Sequence, residues 1–131
     1  MDKKLDAIIR TSTFEVQDGR FVYVKVSKLP NFSKHFMVSQ DKDEITVVTK
    51  EENIKELDLI EKNKDYWNLI ALNVSAPFYS VGFLAKVSSA IARENMNILI
   101  VSTYSKDYIM VRKDKIKKAK KVLLQLGFKE K

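Results

Sequence analysis

The sequence contains no cysteine, one histidine, two prolines and only three glycines in 131 residues, and each scarcity removes a class of function. Without cysteine there is no disulfide framework, no thiolate nucleophile and no cysteine zinc site, a composition that suits a reducing compartment. The glycines stand at positions 19, 82 and 127. A phosphate-binding loop or a dinucleotide fingerprint needs several of them close together, so neither can be assembled. His35 stands alone, and the serine-to-lysine spacing of Ser39-Gln40-Asp41-Lys42 lacks the companion motifs of the hydrolases that use it. Asp41, Asp43 and Glu44 miss the spacing of a calcium loop. Apolar runs are short, reaching four residues at Ile98–Val101, and the charged start Met1-Asp2-Lys3-Lys4 lacks the apolar stretch of a signal peptide. A cytoplasmic, non-catalytic protein without metal, cofactor or membrane contact is expected.

What is present is an ordinary globular composition, 45% hydrophobic and 31% charged, enough for a packed core in one compact domain or two half-size modules. The net charge of +7 is uneven: residues 1–65 hold 12 basic and 13 acidic groups, so the remainder carries the whole excess, most of it between Arg112 and Lys121. That segment reads as an amphipathic helix, with Ile116, Ala119, Leu123 and Leu126 at spacings of three and four, and Lys117, Lys118 and Lys121 on the opposite side. No aromatic residue interleaves these lysines, so a solvated face is the plainer reading and nucleic acid an unlikely partner.

Along the chain, Phe21–Val26 alternates as a half-buried strand after an Asp18-Gly19 turn. His35–Ser39 and Ile45–Thr49 read as a hairpin across Gln40–Glu44. Lys50–Lys64, densely charged, reads as a short helix or a linker. Tyr66–Val74 is apolar on both faces, the mark of a central strand. After Ala76-Pro77, Ser80-Val81-Gly82 leads into a helix with Phe83, Leu84, Val87 and Ile91 on one face, ending near Glu94–Asn97, where asparagine can turn left-handed. Two strands, Ile98–Tyr104 and Tyr108–Arg112, and the lysine helix follow. Strand, helix, strand, strand, helix is five-sixths of a ferredoxin-like unit, lacking its last strand. The halves also echo each other at an offset of 63: Val38-Ser39 to Val47-Val48 against Val101-Ser102 to Met110-Val111. That offset sets Glu44 against Asp107 and Ile45 against Tyr108, and implies a duplicated chain whose halves complete each other's sheets.

The run Ser75-Ala76-Pro77-Phe78-Tyr79-Ser80-Val81-Gly82-Phe83-Leu84, then Asn97-Ile98 and Ser102-Thr103-Tyr104-Ser105-Lys106-Asp107-Tyr108-Ile109-Met110-Val111, resembles tandem ACT-domain proteins. The likeness is to small stand-alone members related to aspartate kinase regulatory domains and to arginine sensors. It implies an α+β, ferredoxin-like tandem: antiparallel sheets with helices packed on one face, an N-terminal ACT-like half over 1–65 and an ACT domain over 66–131. It further implies an amino-acid-binding regulatory module, a homodimer acting on a partner in trans, with ligand held between units by Ser80, Val81, Gly82, Phe83, Leu84, Ile98, Thr103, Tyr104, Asp107 and Tyr108, and by Glu44 and Ile45 of the first half. The chemistry is coherent, since a helix start offers unpaired N–H groups to a carboxylate and Asp107 or Glu44 could answer an ammonium group. Plainer roles stay open: Gly82 for close packing, Asp107 as a turn residue, Thr103 and Tyr104 as strand residues. Phe78 and Tyr79 make the loop bulky enough to narrow a pocket. The alternatives are a ligand-free ACT-fold interaction module and a nucleic-acid binder using the lysine face.

Overall fold

The computed structural model describes residues 3–75 and 80–131. It divides into two compact units: unit 1 joins the first 18 residues to 68–131, and unit 2 is Gly19–Trp67. By packing, then, the N-terminal segment belongs with the C-terminal elements rather than with the residues that follow it.

Unit 1 begins with α1 (Lys3–Arg10) and β1 (Thr13–Val16), and continues with β6 (Trp67–Asn73) from its second residue, α2 (Phe83–Arg93), β7 (Ile98–Ser102), β8 (Asp107–Arg112), α3 (Ile116–Leu126) and β9 (Lys129–Glu130). Its strands lie in the order β7-β8-β6-β1-β9, so the strand that is apolar on both faces is central, as its sequence requires. The place beside β6 that a fourth ferredoxin-like strand would fill is taken by β1, antiparallel from Thr13 opposite Asn73 to Val16 opposite Ile70. The C-terminal β9 adds only two residues, parallel to β1. Ile70, Leu72, Ile109 and Val111 alternate onto the face where Leu5 and Ile9 of α1, Val87 and Ile91 of α2, and Ala119 and Leu123 of α3 form one core. Each fully buried aliphatic side chain there contributes about 1.5–3 kcal/mol of transfer free energy.

Both long helices end in the same motif. In α2 the Met96 N–H bonds Ile91 O at 3.4 Å and the Asn95 N–H bonds Ala92 O at 2.9 Å; in α3 Phe128 bonds Leu123 at 3.2 Å and Gly127 bonds Leu124 at 3.1 Å. These are Schellman caps, which need a left-handed residue. Asn95 supplies φ 58° and Gly127 φ 116°, so the asparagine at the end of α2 adopts the conformation its sequence position predicts.

Unit 2 contains β2 (Phe21–Val26), β3 (Met37–Gln40), β4 (Ile45–Lys50) and β5 (Leu59–Lys62) in the order β3-β4-β2-β5, every pairing antiparallel. Beside the tight β3–β4 hairpin, its connections carry short 3-10 turns at Phe32–Lys34 and Glu51–Glu56. The expected helix or linker over Lys50–Lys64 is therefore a 3-10 turn followed by a strand. The Val22, Val24, Val26 and Val47 side chains form the core, with Ile54 and Leu57 packed against it. A turn carrying two apolar anchors suffices to roof a valine face.

The two hairpins correct the proposed internal repeat. Gln40 pairs with Ile45 and Val38 with Val47; Ser102 pairs with Asp107 and Ile100 with Ile109. Equivalent positions are thus 62 apart, not 63, and the buried triplets Val47-Val48-Thr49 and Ile109-Met110-Val111 coincide at that spacing. Glu44 corresponds to Lys106, and Asp107 to Ile45. A one-residue slip moves every side chain to the other face, so the shared acidic position read from sequence is not a structural equivalence.

Candidate functional site

The expected site residues separate by unit. Ser80–Leu84, Ile98, Thr103, Tyr104, Asp107 and Tyr108 belong to unit 1, whereas Glu44 and Ile45 belong to unit 2. Within unit 1 the topology gathers them. The helix α3 runs from the Arg112 end of β8 to β9, whose Lys129 lies beside Thr13 and hence at the Asn73 end of β6; its eleven residues span about 16 Å, the height of the sheet. Asp107 and the turn over 103–106 therefore stand at the same end of the sheet as the loop into α2. Phe78 and Tyr79, expected to crowd that loop, lie outside the described residues.

At the helix start, Gly82 occupies the N-cap position of α2 with φ 82° and no side-chain cap. Among the described residues, a Cβ there would meet only Leu5 Cδ2 at 3.9 Å, an ordinary contact. Among the described residues close packing does not require a glycine here; the left-handed backbone does. The Phe83 N–H bonds Ser80 O at 3.0 Å, and the Lys86 N–H bonds Gly82 O at 2.9 Å. The Phe83 side chain is buried, edge to face with Phe128 at 5.9 Å between centroids, and Leu84 and Ile98 pack partly buried against the same core. Those three residues anchor the site rather than face outward. Val81 is 89% exposed and Tyr104 85% exposed.

In the hairpin, Thr103 holds the turn closed, because its N–H and its Oγ1 both donate to Lys106 O, at 2.8 and 3.2 Å. Asp107 opens β8, and its carboxylate accepts from Ser102 Oγ at 2.6 Å across the closing pair. A carboxylate has about four acceptor positions, so the turn role and a ligand role are compatible.

Two features of this end have no clear signal in the sequence. Lys86, in the first turn of α2, pairs with Asp6 of α1, and its hydrogen bond, the largest influence, holds the Asp6 carboxyl below its ordinary range. The end of β6 is tied to the end of α1: the Ser75 N–H donates to Ser12 Oγ at 2.9 Å, Ser75 Oγ meets Thr11 Oγ1 at 2.8 Å, and Ser12 Oγ donates to Ile8 O at 2.6 Å. The loop thus leaves an anchored strand and arrives at an anchored helix. An amphipathic Leu5-Ile8-Ile9 spacing was the sequence signal for α1.

In unit 2, Glu44 forms an ion pair with Lys25 at 3.8 Å and lines a cavity of about 270 Å³; Ile45 pairs with Gln40 and packs on the valine core. Arg20 pairs with Glu51, and Arg20 and Lys62 lie over the Tyr66 ring at 4.1 and 4.2 Å from its centroid. Hydrogen bonds from Arg20 first, then Tyr66, hold Glu51 below the usual carboxylate range. Among the described residues no group of three potential ligands could hold a metal ion, and no helix is long and apolar enough to cross a membrane.

Comparison with known proteins matches residues 64–125 to the family model of the ACT domain. No curated protein sequence matches the chain. Among solved structures, a protein of unknown function from Vibrio cholerae is similar with a TM-score of 0.81 and 21% identity, over 95% of this chain and 97% of that one. A protein from Agrobacterium tumefaciens gives a TM-score of 0.77 at 16% identity, over 92% of both chains. Aspartate kinase from Clostridium acetobutylicum gives 0.65 at 16% identity, over 88% of this chain and 34% of the enzyme. At such identities the likeness is one of fold. With the α+β architecture and the domain match together, the chain is a small ACT-fold protein whose residues 64–125 match the ACT domain model.

Proposed function

We propose that the protein is a non-catalytic regulatory module, a cytoplasmic homodimer, that binds an amino acid at the α2 and hairpin end of unit 1 and acts on a partner in trans. The observation that carries this reading is that a helix start without a side-chain cap and a hairpin closed by Asp107 stand at the same end of one sheet. The N–H groups of Leu84 and Ala85 in the first turn of α2, beside those of Phe83 and Lys86 that bond Ser80 O and Gly82 O, receive the ligand carboxylate. Asp107, with acceptor positions beyond its bond to Ser102, receives the ammonium group. Val81, Tyr104 and Tyr108 surround the ligand's side chain. Glu44 and Ile45 stand in unit 2, and any part they take belongs to that unit.

The test is a thermal-denaturation screen against the twenty amino acids at millimolar concentration. A ligand at one hundred times its dissociation constant adds about 2.7 kcal/mol, which raises the midpoint of a domain this size by several degrees. A selective rise names the ligand, and Asp107→Ala then weakens it while the protein stays folded. Unchanged affinity in that variant removes Asp107 from the site.

The second reading is a ligand-free interaction module, favoured by the exposure of Val81 and Tyr104 at the same end, since exposed large apolar groups mark contact surfaces. No rise with any amino acid, together with loss of self-association in Tyr104→Ser, supports it. A nucleic-acid role for the α3 lysines requires affinity that falls steeply with salt.

A further inference from the structure

Within unit 1, α2 and α3 lay their inner sides on one core and leave a groove of about 230 Å³ between them at the surface. Its floor is apolar: Ala90 and Val122 are buried, and Leu126 is partly so. Arg93 and Glu94 at the end of α2 and Gln125 of α3, all exposed, form the rim. Lys118 and Lys121 precede Val122 and Gln125 by four residues, which on a helix is the same side one turn earlier. The groove is therefore flanked by three cations, Arg93, Lys118 and Lys121, against the single carboxylate of Glu94.

The charges of α3 work against the free helix. It has no acidic residue in its first turn and no basic residue in its last, while Lys117 and Lys118 crowd the N-terminal end, where the helix dipole is already positive. Lys118 and Lys121 stand three apart and Lys117 and Lys121 four apart, the spacings at which like charges repel on a helix. Among the described residues Arg93, Lys117, Lys118 and Lys121 make no ion pair; Lys120 does, with Glu130 at 2.8 Å. A placement of charge that is unfavourable in the free protein becomes favourable once carboxylates lie along it.

We infer that this groove is a docking site for an acidic amphipathic helix of a partner protein. The apolar residues of that helix, at spacings of three and four, enter between α2 and α3 over Ala90, Val122 and Leu126. Its carboxylates meet Lys118, Lys121 and Arg93. The floor selects protein over nucleic acid, since a polyanion without apolar side chains leaves it uncovered and no aromatic residue stands among these lysines to stack on a base. The inference goes beyond the amino-acid site of unit 1 and does not rest on it.

Fluorescence anisotropy of a labelled peptide titrated with the full chain tests it. The probe is a peptide of two heptads with leucine at the apolar positions, glutamate and alanine elsewhere, and neutral ends. Its counterparts carry glutamine for leucine or lysine for glutamate, and a short DNA duplex serves as a polyanion without apolar side chains. Saturable binding of the acidic leucine peptide alone is expected, weakened about tenfold or more when Lys118→Glu and Lys121→Glu are combined. That double variant should melt no lower than the parent, because it relieves the repulsion and sets a carboxylate at the positive end of the dipole. Lys28→Glu combined with Lys42→Glu makes the same change of net charge on exposed residues of unit 2 and should leave binding unchanged. Equal weakening in the two double variants, or equal binding of the glutamine peptide, overturns the groove in favour of unspecific charge attraction. Absence of saturable peptide binding overturns it too. Tighter binding of the duplex, lost in the α3 double variant, overturns the partner class and assigns the lysines to nucleic acid. The unit 1 site is scored by amino-acid melting shifts and Asp107→Ala, so either proposal can fail without the other.

Discussion

Unit 1 and unit 2 are two solutions to covering a largely antiparallel sheet, one with helices and one nearly without. In unit 1, three helices lay leucine, isoleucine and phenylalanine side chains onto one face. In unit 2, four buried valines are roofed by a 3-10 turn with Ile54 and Leu57, and ion pairs and cation–π contacts stand around the rim. The comparison teaches that the topology of a sheet can survive where the core volume beneath it is small. It also distributes function: dipole ends, anchored loops and a groove between helices belong to the helical unit.

The largest effect that could break this comparison is truncation of the cores. Leu123→Ala in unit 1 is expected to cost about 2–5 kcal/mol, because the site is fully buried among rigid neighbours. Val24→Ala in unit 2 removes fewer methyl groups and is expected to cost about 1–3 kcal/mol. Denaturant unfolding measures both. Amide exchange then gives the local version: β2 and β4 open at lower free energy than β6 and β8. Equal protection in the two sheets would show that core volume does not set their stability.

Next in size is the end of α3, for which unit 2 has no counterpart. Gly127 has φ 116°, and a Cβ there would lie 3.3 Å from Arg10 Cγ and 3.6 Å from Ile9 Cγ2. Gly127→Ala combines a left-handed penalty of about 1–2 kcal/mol with a displacement of α1. The melting midpoint should fall by several degrees, and Arg10→Ala in the same background should recover part of the loss. No recovery would assign the whole cost to the backbone.

A smaller effect, of the same sign in both units, is read by pH. In unit 2 the Glu51 carboxyl is held below its ordinary value of 4.5 by the hydrogen bonds of Arg20 and Tyr66. A carboxyl depressed on folding contributes stability above its unfolded pKa and loses it as pH falls through the folded one. Glu51→Gln should therefore melt lower than the parent near neutral pH, with the gap closing as pH drops from about 4.5 downward. In unit 1, Asp6→Asn removes the partner of Lys86 and follows the same sign. A gap constant from neutral to acidic pH would mean that shape rather than charge is lost in these variants.

How much of this the sequence revealed depended on period and length. Central strands such as Trp67–Asn73 and the helices Phe83–Arg93 and Ile116–Leu126 are legible because burial imposes unbroken periodicity over two or more turns. The short α1 and β1 are hard to read although Leu5-Ile8-Ile9 and the alternation of Thr13–Val16 carry the pattern, because eight- and four-residue elements give few repeats from which a period emerges. The β5 strand, Leu59–Lys62, hides in a charged stretch because none of its side chains is buried. At the site, Gly82 and Asp107 were visible as types, but their reasons were not: a positive φ and a bond across a closing pair are properties of geometry. The repeat read from sequence lies one residue off because its identities, Val38 with Val101, Ser39 with Ser102 and Val48 with Val111, outweigh a burial pattern that only the fold displays.

The smallest predicted effect tests a contrast inside unit 1. The caps of α2 and α3 have the same hydrogen bonds but different residues at the left-handed position, Asn95 and Gly127. Asparagine tolerates φ 58° at some cost, whereas glycine tolerates it at none. Asn95→Gly should therefore stabilise the protein, by about 0.5 kcal/mol once the added flexibility of the unfolded chain is set against the relieved strain. The converse change, Gly127→Asn, should destabilise, since φ 116° lies outside the left-handed helical well that asparagine favours. If Asn95→Gly instead destabilises, asparagine is there for its side chain. The end of α2 that leads into β7 would then be a polar contact of its own, not only a place where a helix stops.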